Sequence, residues 1–277
     1  MNTMISRQTE GSIKPSNLPD WLLSHGISTV TTEECAHLFG VPLNEVPQRL
    51  VRLRNSGHLQ AVARGFWVVV PPEYREMGAP EPIIYIDQLM RYYSCDYCIG
   101  WLSSAAMQGA RHQASQVYQV AVDRQIRRRQ IGRSELQFFD RSYINKLTTR
   151  RITTSRGTAI TASPAATMLM VSSDLLISGG LDNVATIITE LAEENPGYEQ
   201  DLVMNATLFP HAAVARLGWI LENISDEQLP DDLAHYCNEP KSPTVLSPYD
   251  KRIGRIDERW TASIRASQTS GALSAGM

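Results

Sequence analysis

Residues 31–70 have the sequence TTEECAHLFGVPLNEVPQRLVRLRNSGHLQAVARGFWVVV, and this stretch decides the fold of the N-terminal part of the chain. Its first residues predict a helix with a capping box, because Thr31 can accept a hydrogen bond from the backbone of Glu34 and the glutamate carboxylate can reach back. Gly40 suits the left-handed conformation in which such a helix ends. The stretch therefore begins with a short, well-capped helix.

A second helix is expected after a short turn. Asn44 is its predicted N-cap, and Pro47 lies in its first turn, where a missing backbone N–H costs no hydrogen bond. Apolar residues then recur at steps of three and four, which is the period of one buried helix face. The residues predicted on this face are Leu43, Val46, Leu50, Leu53 and Gly57.

The period changes to that of a strand after this helix. Residues 58–62 and 66–70 predict a β-hairpin around a turn at Arg64 and Gly65, and the prolines that follow end it. A further helix, expected over residues 17–26, precedes the capping box. Helix, helix, short turn, helix and hairpin is the order of a winged helix-turn-helix, which the sequence therefore predicts.

The exposed face of the third helix carries side chains of the kind that recognise DNA. A helix fits the major groove, where arginine can bind guanine and glutamine or asparagine can bind adenine. Arginines at the helix edge and at the hairpin turn are better placed for phosphates, which fix the register of the protein without recognising sequence. The candidate DNA-binding residues are Gln48, Arg49, Arg52, Arg54, Asn55 and Arg64.

A second interpretation of the same domain stays open. Winged helices also bind other proteins, and the first 78 residues carry seven basic and seven acidic side chains, whereas a DNA-binding domain usually has a basic excess. Against this, no acidic residue lies among the candidates on the third helix, and Glu45 precedes them by one turn. We therefore expect binding to double-stranded DNA, with a protein-interaction module that does not bind DNA as the alternative.

The composition of the 277-residue chain is that of a globular protein of about two domains, with 43% hydrophobic and 20% charged residues. No window approaches the roughly eighteen apolar residues of a membrane span, and the N-terminus lacks the apolar stretch of a signal peptide. Four cysteines are too few for a disulfide framework and fit a reducing compartment. We therefore expect a cytoplasmic protein.

A proline-rich segment at residues 71–82 marks the expected domain boundary. Residues 1–78 would form the winged helix-turn-helix domain, and residues 83–266 a larger domain. Strands are predicted in the middle of the larger domain, at residues 117–122, 136–139, 151–154 and 158–161. Helices are predicted to follow, from a Ser163-Pro164 start to about residue 176 and over residues 181–192, 209–224 and 226–236, which indicates the α+β class. Residues 267–277 are expected to form a disordered tail.

Charge is distributed unevenly along the larger domain. Residues 120–160 contain ten basic and three acidic side chains, whereas residues 161–240 contain one and thirteen. Such segregation is compatible with a surface for an anionic partner. The basic segment is either a solvated hairpin or a nucleic-acid surface, for DNA backbone or for RNA, and the sequence leaves both open. Its arginine run comprises Arg124, Arg127, Arg128, Arg129 and Arg133.

The sequence contains no motif of a known catalytic site. Cys95 and Cys98 form a C-x-x-C pair, but a zinc site needs a second ligand pair, which the other two cysteines do not provide. His112 has no accompanying nucleophile pattern, and glycine-rich phosphate loops, G-x-S-x-G and H-E-x-x-H are missing. We therefore expect two core cysteines at the C-x-x-C, and neither enzymatic activity nor a metal or cofactor.

Several segments of the chain match the motifs of one known family. Residues 98–113 (CIGWLSSAAMQGARHQ) and 116–120 (QVYQV) are similar to the pattern Y-Y-[IV]-G-x-L-S-A-A-x-x-x-G-x-x-H-Q followed by Q-V-[FY]-Q-V. Residues 161–167 (TASPAAT) are similar to T-x-x-x-P-E-A-T. In these segments the chain resembles the AbiEi family of abortive-infection antitoxins. Residues 52–59 (RLRNSGHL), 64–67 (RGFW) and 182–186 (DNVAT) are similar to further parts of its pattern, so the resemblance covers roughly residues 18–195.

The resemblance implies a two-domain protein that binds inverted repeats in its own promoter and represses a two-gene operon, which leaves open whether it binds as a dimer. It also implies a neighbouring nucleotidyltransferase-like toxin, which the larger domain counters in phage defence without a stable complex. The arginine run is then also a candidate antitoxic surface. The chain departs from the family pattern at Cys98, where an aromatic residue is usual, and at Ala165, where an acid is common. Neither departure coincides with a candidate DNA-binding residue.

Overall fold

The computed structural model describes residues 13–110, 116–154, 157–225, 228–237, 244–246 and 255–264. The α-helices of this part are α1 Leu18–Ser24, α2 Thr32–Phe39, α3 Val46–Asn55, α4 Ile86–Tyr92, α5 Trp101–Met107, α6 Pro164–Ser173, α7 Leu181–Glu194, α8 Glu199–Ala206, α9 His211–Asn223 and α10 Asp231–Cys237. Its strands are β1 Thr29–Thr31, β2 Leu59–Ala63, β3 Phe66–Val69, β4 Tyr97–Ile99, β5 Val117–Val122, β6 Arg129–Ile131, β7 Ser134–Asp140, β8 Thr149–Thr154, β9 Gly157–Ala162, β10 Thr244–Val245, β11 Arg255–Asp257 and β12 Ala262–Ile264. The mixture of helices and strands confirms the predicted α+β content.

The first three helices share a hydrophobic core with a three-stranded sheet. The strand order of this sheet is β1-β3-β2, and both neighbouring pairs are antiparallel. The predicted capping box starts α2: the backbone N–H of Thr31 donates to Oε2 of Glu34 at 2.8 Å, and that of Glu34 donates to Oγ1 of Thr31 at 3.1 Å. Fully buried members of the core include Leu18, Leu22, Cys35, Val46 and Leu50.

The start of α3 differs from the prediction. Asn44 is not its N-cap, because Leu43–Glu45 form a 3₁₀ turn, α3 begins at Val46, and Glu45 at the N-cap makes no side-chain capping bond. A 3₁₀ turn has about three residues per turn, so it rotates Leu43 away from the predicted buried face. Leu43 is accordingly 49% exposed. The buried residues of α3 are Val46, Leu50 and Leu53.

The larger sheet has six strands in the order β6-β7-β5-β4-β9-β8. Strand β5 is parallel to β7, β4 is parallel to β9, and β6 is antiparallel to β7. The strands predicted at residues 117–122, 136–139, 151–154 and 158–161 correspond to β5, β7, β8 and β9. Strands β4 and β6 have three residues each, too few for an alternating pattern, and the sequence did not predict them.

The chain divides into two compact units. The first unit comprises Met1–Tyr97, Gln116–Ser142 and Arg151–Ile160. The second unit comprises Cys98–Ser115, Tyr143–Arg150 and Thr161–Met277. The predicted domains, residues 1–78 and 83–266, are segments of the chain that would fold independently. This division stays a prediction.

In the second unit, the largely apolar helix α6 is buried from Pro164 to Ser172. Ser163 caps it as predicted, since its side chain accepts a hydrogen bond from the backbone of Ala166 at 3.3 Å. A proline at the first helical position fits this start because its missing N–H would have no partner there. The core of the second unit is thus built around a helix whose beginning the sequence predicts.

A buried cluster of hydroxyl groups joins α5, β9 and α6 within the second unit. Oγ of Ser104 lies 2.7 Å from Oγ1 of Thr161 and 2.8 Å from Oγ1 of Thr167. Nε2 of Gln108 donates to Oγ of Ser104 at 2.6 Å and to Oγ1 of Thr167 at 3.0 Å. These residues come from the segments that match the family motifs, so the motifs supply a largely buried cluster of side chains that are hydrogen-bonded to one another.

Other predictions need correction or lie outside the described residues. The helix predicted over residues 226–236 begins at Asp231, α6 ends at Ser173 rather than near residue 176, and α8 was not predicted. His112 and the predicted tail at 267–277 lie outside the described residues. In the part of the chain that is described, no helix has the length and apolarity to cross a membrane.

Candidate nucleic-acid interface

Helix α3 has one buried face and one polar, exposed face. The spacing of three and four residues places Gln48, Arg52 and Asn55 on the same side of the helix, opposite the residues that pack into the core. The exposed candidates on α3 are Gln48, Arg52, Arg54 and Asn55. The core thus fixes the helix by one face and leaves the side chains of the other available to a partner.

Arg49 differs from the other candidates on α3 because it already has an ionic partner. Its Nη2 lies 2.7 Å from Oε2 of Glu45, one helical turn earlier, and its side chain is 31% exposed. Exposed pairs of this kind contribute about 0–1 kcal/mol, so a stronger anion could displace the carboxylate at little cost. Arg49 would therefore have to exchange a partner before it could contact DNA.

The turn between β2 and β3 is held by contacts on two sides. Arg64 is exposed, but the hydroxyl of Tyr92 in α4 donates to the Arg64 carbonyl oxygen at 2.9 Å. The backbone N–H of Thr32 donates to the carbonyl oxygen of Gly65 at 2.9 Å. The rings of Phe66 and Tyr92 have centroids 5.2 Å apart. The turn backbone is therefore fixed, while the Arg64 side chain reaches solvent.

Tyr92 is a residue of this region that sequence reasoning missed. At Gly65, where φ is +78°, an added Cβ would lie 2.9 Å from the Tyr92 hydroxyl oxygen. The space beside this glycine is thus filled by the tyrosine. Tyr92 lies 28 residues after Arg64 in the chain, and no local pattern connects the two positions.

The arginine run lies in the first compact unit, together with the candidates on α3 and Arg64. It begins with an ion pair in which Nε and Nη2 of Arg124 donate to the two carboxylate oxygens of Asp123 at 2.9 and 3.1 Å. Hydrogen bonds from Arg124 and Cys95 hold the pKa of Asp123 well below its usual range. The charge of Arg124 is thus largely satisfied within the protein.

The other arginines of the run differ in their exposure and in their contacts with the protein. Arg129, in β6, is half-buried, and its guanidinium lies 5.8 Å from the centre of the Tyr93 ring. Arg128 is exposed and lies 3.8 Å from a carboxylate oxygen of Glu135. Arg127 and Arg133 are exposed and form no ion pair within the described residues. Residues 123–128 have no regular secondary structure, so only Arg129 and Arg133 belong to the β6–β7 hairpin. The interpretation of the run as a solvated hairpin therefore applies only to these two arginines.

The C-x-x-C cysteines have the environment of core residues. Cys95 and Cys98 are buried, and burial raises the pKa of their thiols to about 11 and about 12, respectively. Sγ of Cys95 donates to a carboxylate oxygen of Asp123 at 2.9 Å. At neutral pH both are therefore neutral thiols. Across the ranges that the structure describes, no three His, Cys, Asp or Glu side chains are grouped so that they could hold a metal ion.

Comparisons with known proteins identify the region that carries the family motifs. Among solved structures, the chain is similar to the RV2827C protein from Mycobacterium tuberculosis, with a TM-score of 0.63, 15% sequence identity and coverage of 92% of each chain. At this identity the likeness shows the fold alone. No curated protein matches the chain. A family model described as the AbiEi antitoxin C-terminal domain matches residues 98–223, and this match supports an AbiEi-type antitoxin family for this region of the chain.

Proposed function

We propose that this chain is a DNA-binding transcriptional autorepressor and the antitoxin of a toxin–antitoxin operon. The observation that carries the first half is the α3 face, where Gln48, Arg52 and Asn55 are exposed opposite a buried apolar stripe. Amide side chains can form two hydrogen bonds with adenine, and arginine can form two with guanine, in a groove that admits a helix. The face thus combines the shape and the chemistry of a recognition helix.

The order of the surrounding elements supports the proposal of a winged helix-turn-helix. Helices α2 and α3, joined by a short turn, would be the helix-turn-helix, and the β2–β3 hairpin would be the wing. Arg64 at the hairpin turn would contact a phosphate, because its side chain is exposed while its backbone is fixed by Tyr92. A fixed turn positions a cation without first having to be ordered, which favours its use in binding. Such proteins commonly bind inverted repeats as dimers, and we propose the same for this chain at its own promoter.

The antitoxin half of the proposal rests on the family match of residues 98–223, since that family model describes an antitoxin domain. The family resemblance implies a neighbouring toxin similar to nucleotidyltransferases, countered without a stable complex. We propose this mode of action here, in the cytoplasm, with no enzymatic step of the antitoxin's own. The buried, neutral state of Cys95 and Cys98 supports the proposal that the antitoxin has no enzymatic step, because a catalytic cysteine acts as an exposed thiolate.

A gel-shift experiment with the full chain and the DNA upstream of its gene tests the repressor half. Wild-type protein should shift this fragment in preference to an unrelated fragment of equal length. Arg52→Ala should weaken the specific complex by about 1–3 kcal/mol, the usual contribution of a bidentate base contact. Arg255→Ala removes the same charge from an exposed position in the second unit and serves as the matched control.

The alternative function makes the opposite prediction in the same experiment. If the first unit is only a protein-interaction module, wild type and Arg52→Ala should both fail to prefer the promoter fragment. Equal, specific binding by wild type and Arg52→Ala would instead leave DNA binding in place and remove Arg52 from the recognition face. The antitoxin half is tested separately, by expressing the chain together with the product of the neighbouring gene and measuring growth.

A further inference from the structure

One apolar residue lies on the polar side of α3. Val51 is 43% exposed, whereas the other valine and leucine side chains of this helix, Val46, Leu50 and Leu53, are at most 8% exposed. Valine is also a less favourable helix residue than the arginines around it, because its branched side chain loses rotamer freedom in a helix. Neither the core packing nor the helix propensity of α3 therefore accounts for valine at this position.

The neighbours of Val51 are side chains that can recognise adenine. Gln48 lies three residues before it and Asn55 four residues after it, so the three occupy one side of the helix. In the major groove, adenine presents N6 and N7 to an amide, and its partner thymine presents a C5-methyl group beside them. A β-branched apolar side chain between two amides is thus suited to the thymine half of an A·T pair.

We infer that Val51 is a specificity-determining residue that recognises a thymine C5-methyl group in the operator. This inference rests on the proposed DNA-binding function and names the base pair that the α3 face selects. The contact would remove one methyl group and the valine side chain from water, and burial of one methyl corresponds to about a fourfold change in an equilibrium constant. Uracil, which lacks only that methyl group, should then be a poorer partner than thymine.

The probe is the promoter fragment amplified in two forms, with dTTP or with dUTP, so that the two forms differ only in C5-methyl groups. Three full-length proteins are compared by gel shift: wild type, Val51→Ala and Val203→Ala. Val203 is the matched control, because it is a helical valine with the same 43% exposure, located in α8 of the second unit.

Wild type and Val203→Ala should bind the uracil fragment at least about fourfold more weakly than the thymine fragment. Val51→Ala should bind the thymine fragment more weakly than wild type and should no longer distinguish the two fragments. This loss of discrimination is the pairwise coupling that a double-mutant cycle measures. Partial uracil substitution followed by cleavage at uracil would then locate the thymine whose methyl group matters to wild type but not to Val51→Ala.

Three outcomes would overturn the inference. Equal binding of both fragments by wild type would show that no methyl group is recognised. An unchanged preference in Val51→Ala would show that another residue, or the stiffness of the DNA, causes it. Failure of wild type to prefer the promoter over unrelated DNA would remove the proposed function as well, which distinguishes the two failures. Circular dichroism checks that Val51→Ala is folded. Val51→Thr keeps the shape of the side chain and replaces a methyl by a hydroxyl, and it is compared as a second variant in the same gel-shift experiment.

Discussion

Gly57 and Gly65 of the first unit have similar backbone conformations but different surroundings, so a comparison of the two distinguishes backbone strain from steric conflict. Gly65 and Gly57 have φ values of +78° and +73°, which L side chains rarely adopt. An added Cβ at Gly65 would lie 2.9 Å from the Tyr92 hydroxyl oxygen, whereas an added Cβ at Gly57 would meet nothing within 4 Å. Alanine at either position should be strained, but only at Gly65 should it also displace the tyrosine that fixes the turn.

We therefore expect Gly65→Ala to destabilise the protein more than Gly57→Ala. Left-handed backbone costs an alanine about 1–2 kcal/mol at either position, and Gly65→Ala should lose a further amount of about 1 kcal/mol with the hydrogen bond from Tyr92. Denaturant unfolding of the two variants measures the difference. Adding Tyr92→Phe removes the conflicting hydroxyl, so the difference should shrink in that background. If it persists there, Tyr92 does not determine the conformation of this turn.

At the scale of secondary-structure elements, the sequence predicted the parts of the fold that local chemistry determines. The capping box of α2 and the Ser163 cap of α6 are formed because donor and acceptor lie three residues apart. By contrast, β1 has three residues and depends on pairing with β3, which is distant in sequence. Helix α8 has no clean apolar stripe, since it exposes Val203 and Met204, and so its period could not be recognised.

The candidate site likewise combines features that local sequence patterns predict with features that depend on tertiary packing. The exposed positions on α3 follow from a helical period that the sequence contains, and the structure places Gln48, Arg52 and Asn55 in solvent as the period requires. The apolar period does not distinguish the 3₁₀ turn before α3 from the helix itself, so its prediction of a buried Leu43 is wrong. The clamp of Tyr92 on the β2–β3 turn depends on tertiary packing between segments 28 residues apart, and no local signal could have indicated it.

The irregular segment and the β6–β7 hairpin that carry the arginine run lead to a second prediction. Arg127, Arg128 and Arg133 are exposed, whereas Arg129 is half-buried near Tyr93 and is best left in place. Replacing Arg127, Arg128 and Arg133 by glutamine should preserve folding, because such surface changes stay within about 0.5 kcal/mol each. If they contact DNA phosphates, the slope of log affinity against log salt should become shallower by up to about three.

The charge-matched control for this variant is Lys14→Gln/Arg75→Gln/Arg255→Gln, with three exposed positions that lie outside the basic segment 120–160 and are not candidate DNA-binding residues. It should leave the salt slope unchanged. Growth in the presence of the neighbouring toxin is measured in parallel. Lost protection with an unchanged salt slope would assign the run to antitoxic activity instead of DNA binding. Unchanged behaviour in both measurements would leave it as solvated surface.

At the scale of the whole molecule, charge and family match divide the chain in similar ways. The candidates on α3, Arg64 and the arginine run belong to the first unit, which thus carries the cations proposed to contact DNA. Residues 161–240, with one basic and thirteen acidic side chains, belong to the second unit and largely overlap the antitoxin match at 98–223. An acidic surface repels DNA, so the second unit is poorly suited to bind it. Repression and protection should therefore be separable functions.

The last prediction is that Arg52→Ala reduces repression without reducing protection. Arg52 is exposed on a helix of the first unit, so its loss should weaken operator binding by about 1–3 kcal/mol, or about 5- to 150-fold, and leave the antitoxin region folded. Wild type, Arg52→Ala and the control Arg255→Ala are each expressed from a constant promoter, so that derepression cannot alter their amounts. A reporter under the operon's own promoter and growth with the neighbouring toxin are measured in the same cells. Arg52→Ala should raise reporter activity and keep full protection. If protection falls together with repression while the variant remains folded, both functions depend on the α3 face, and the proposed division between the two units is wrong.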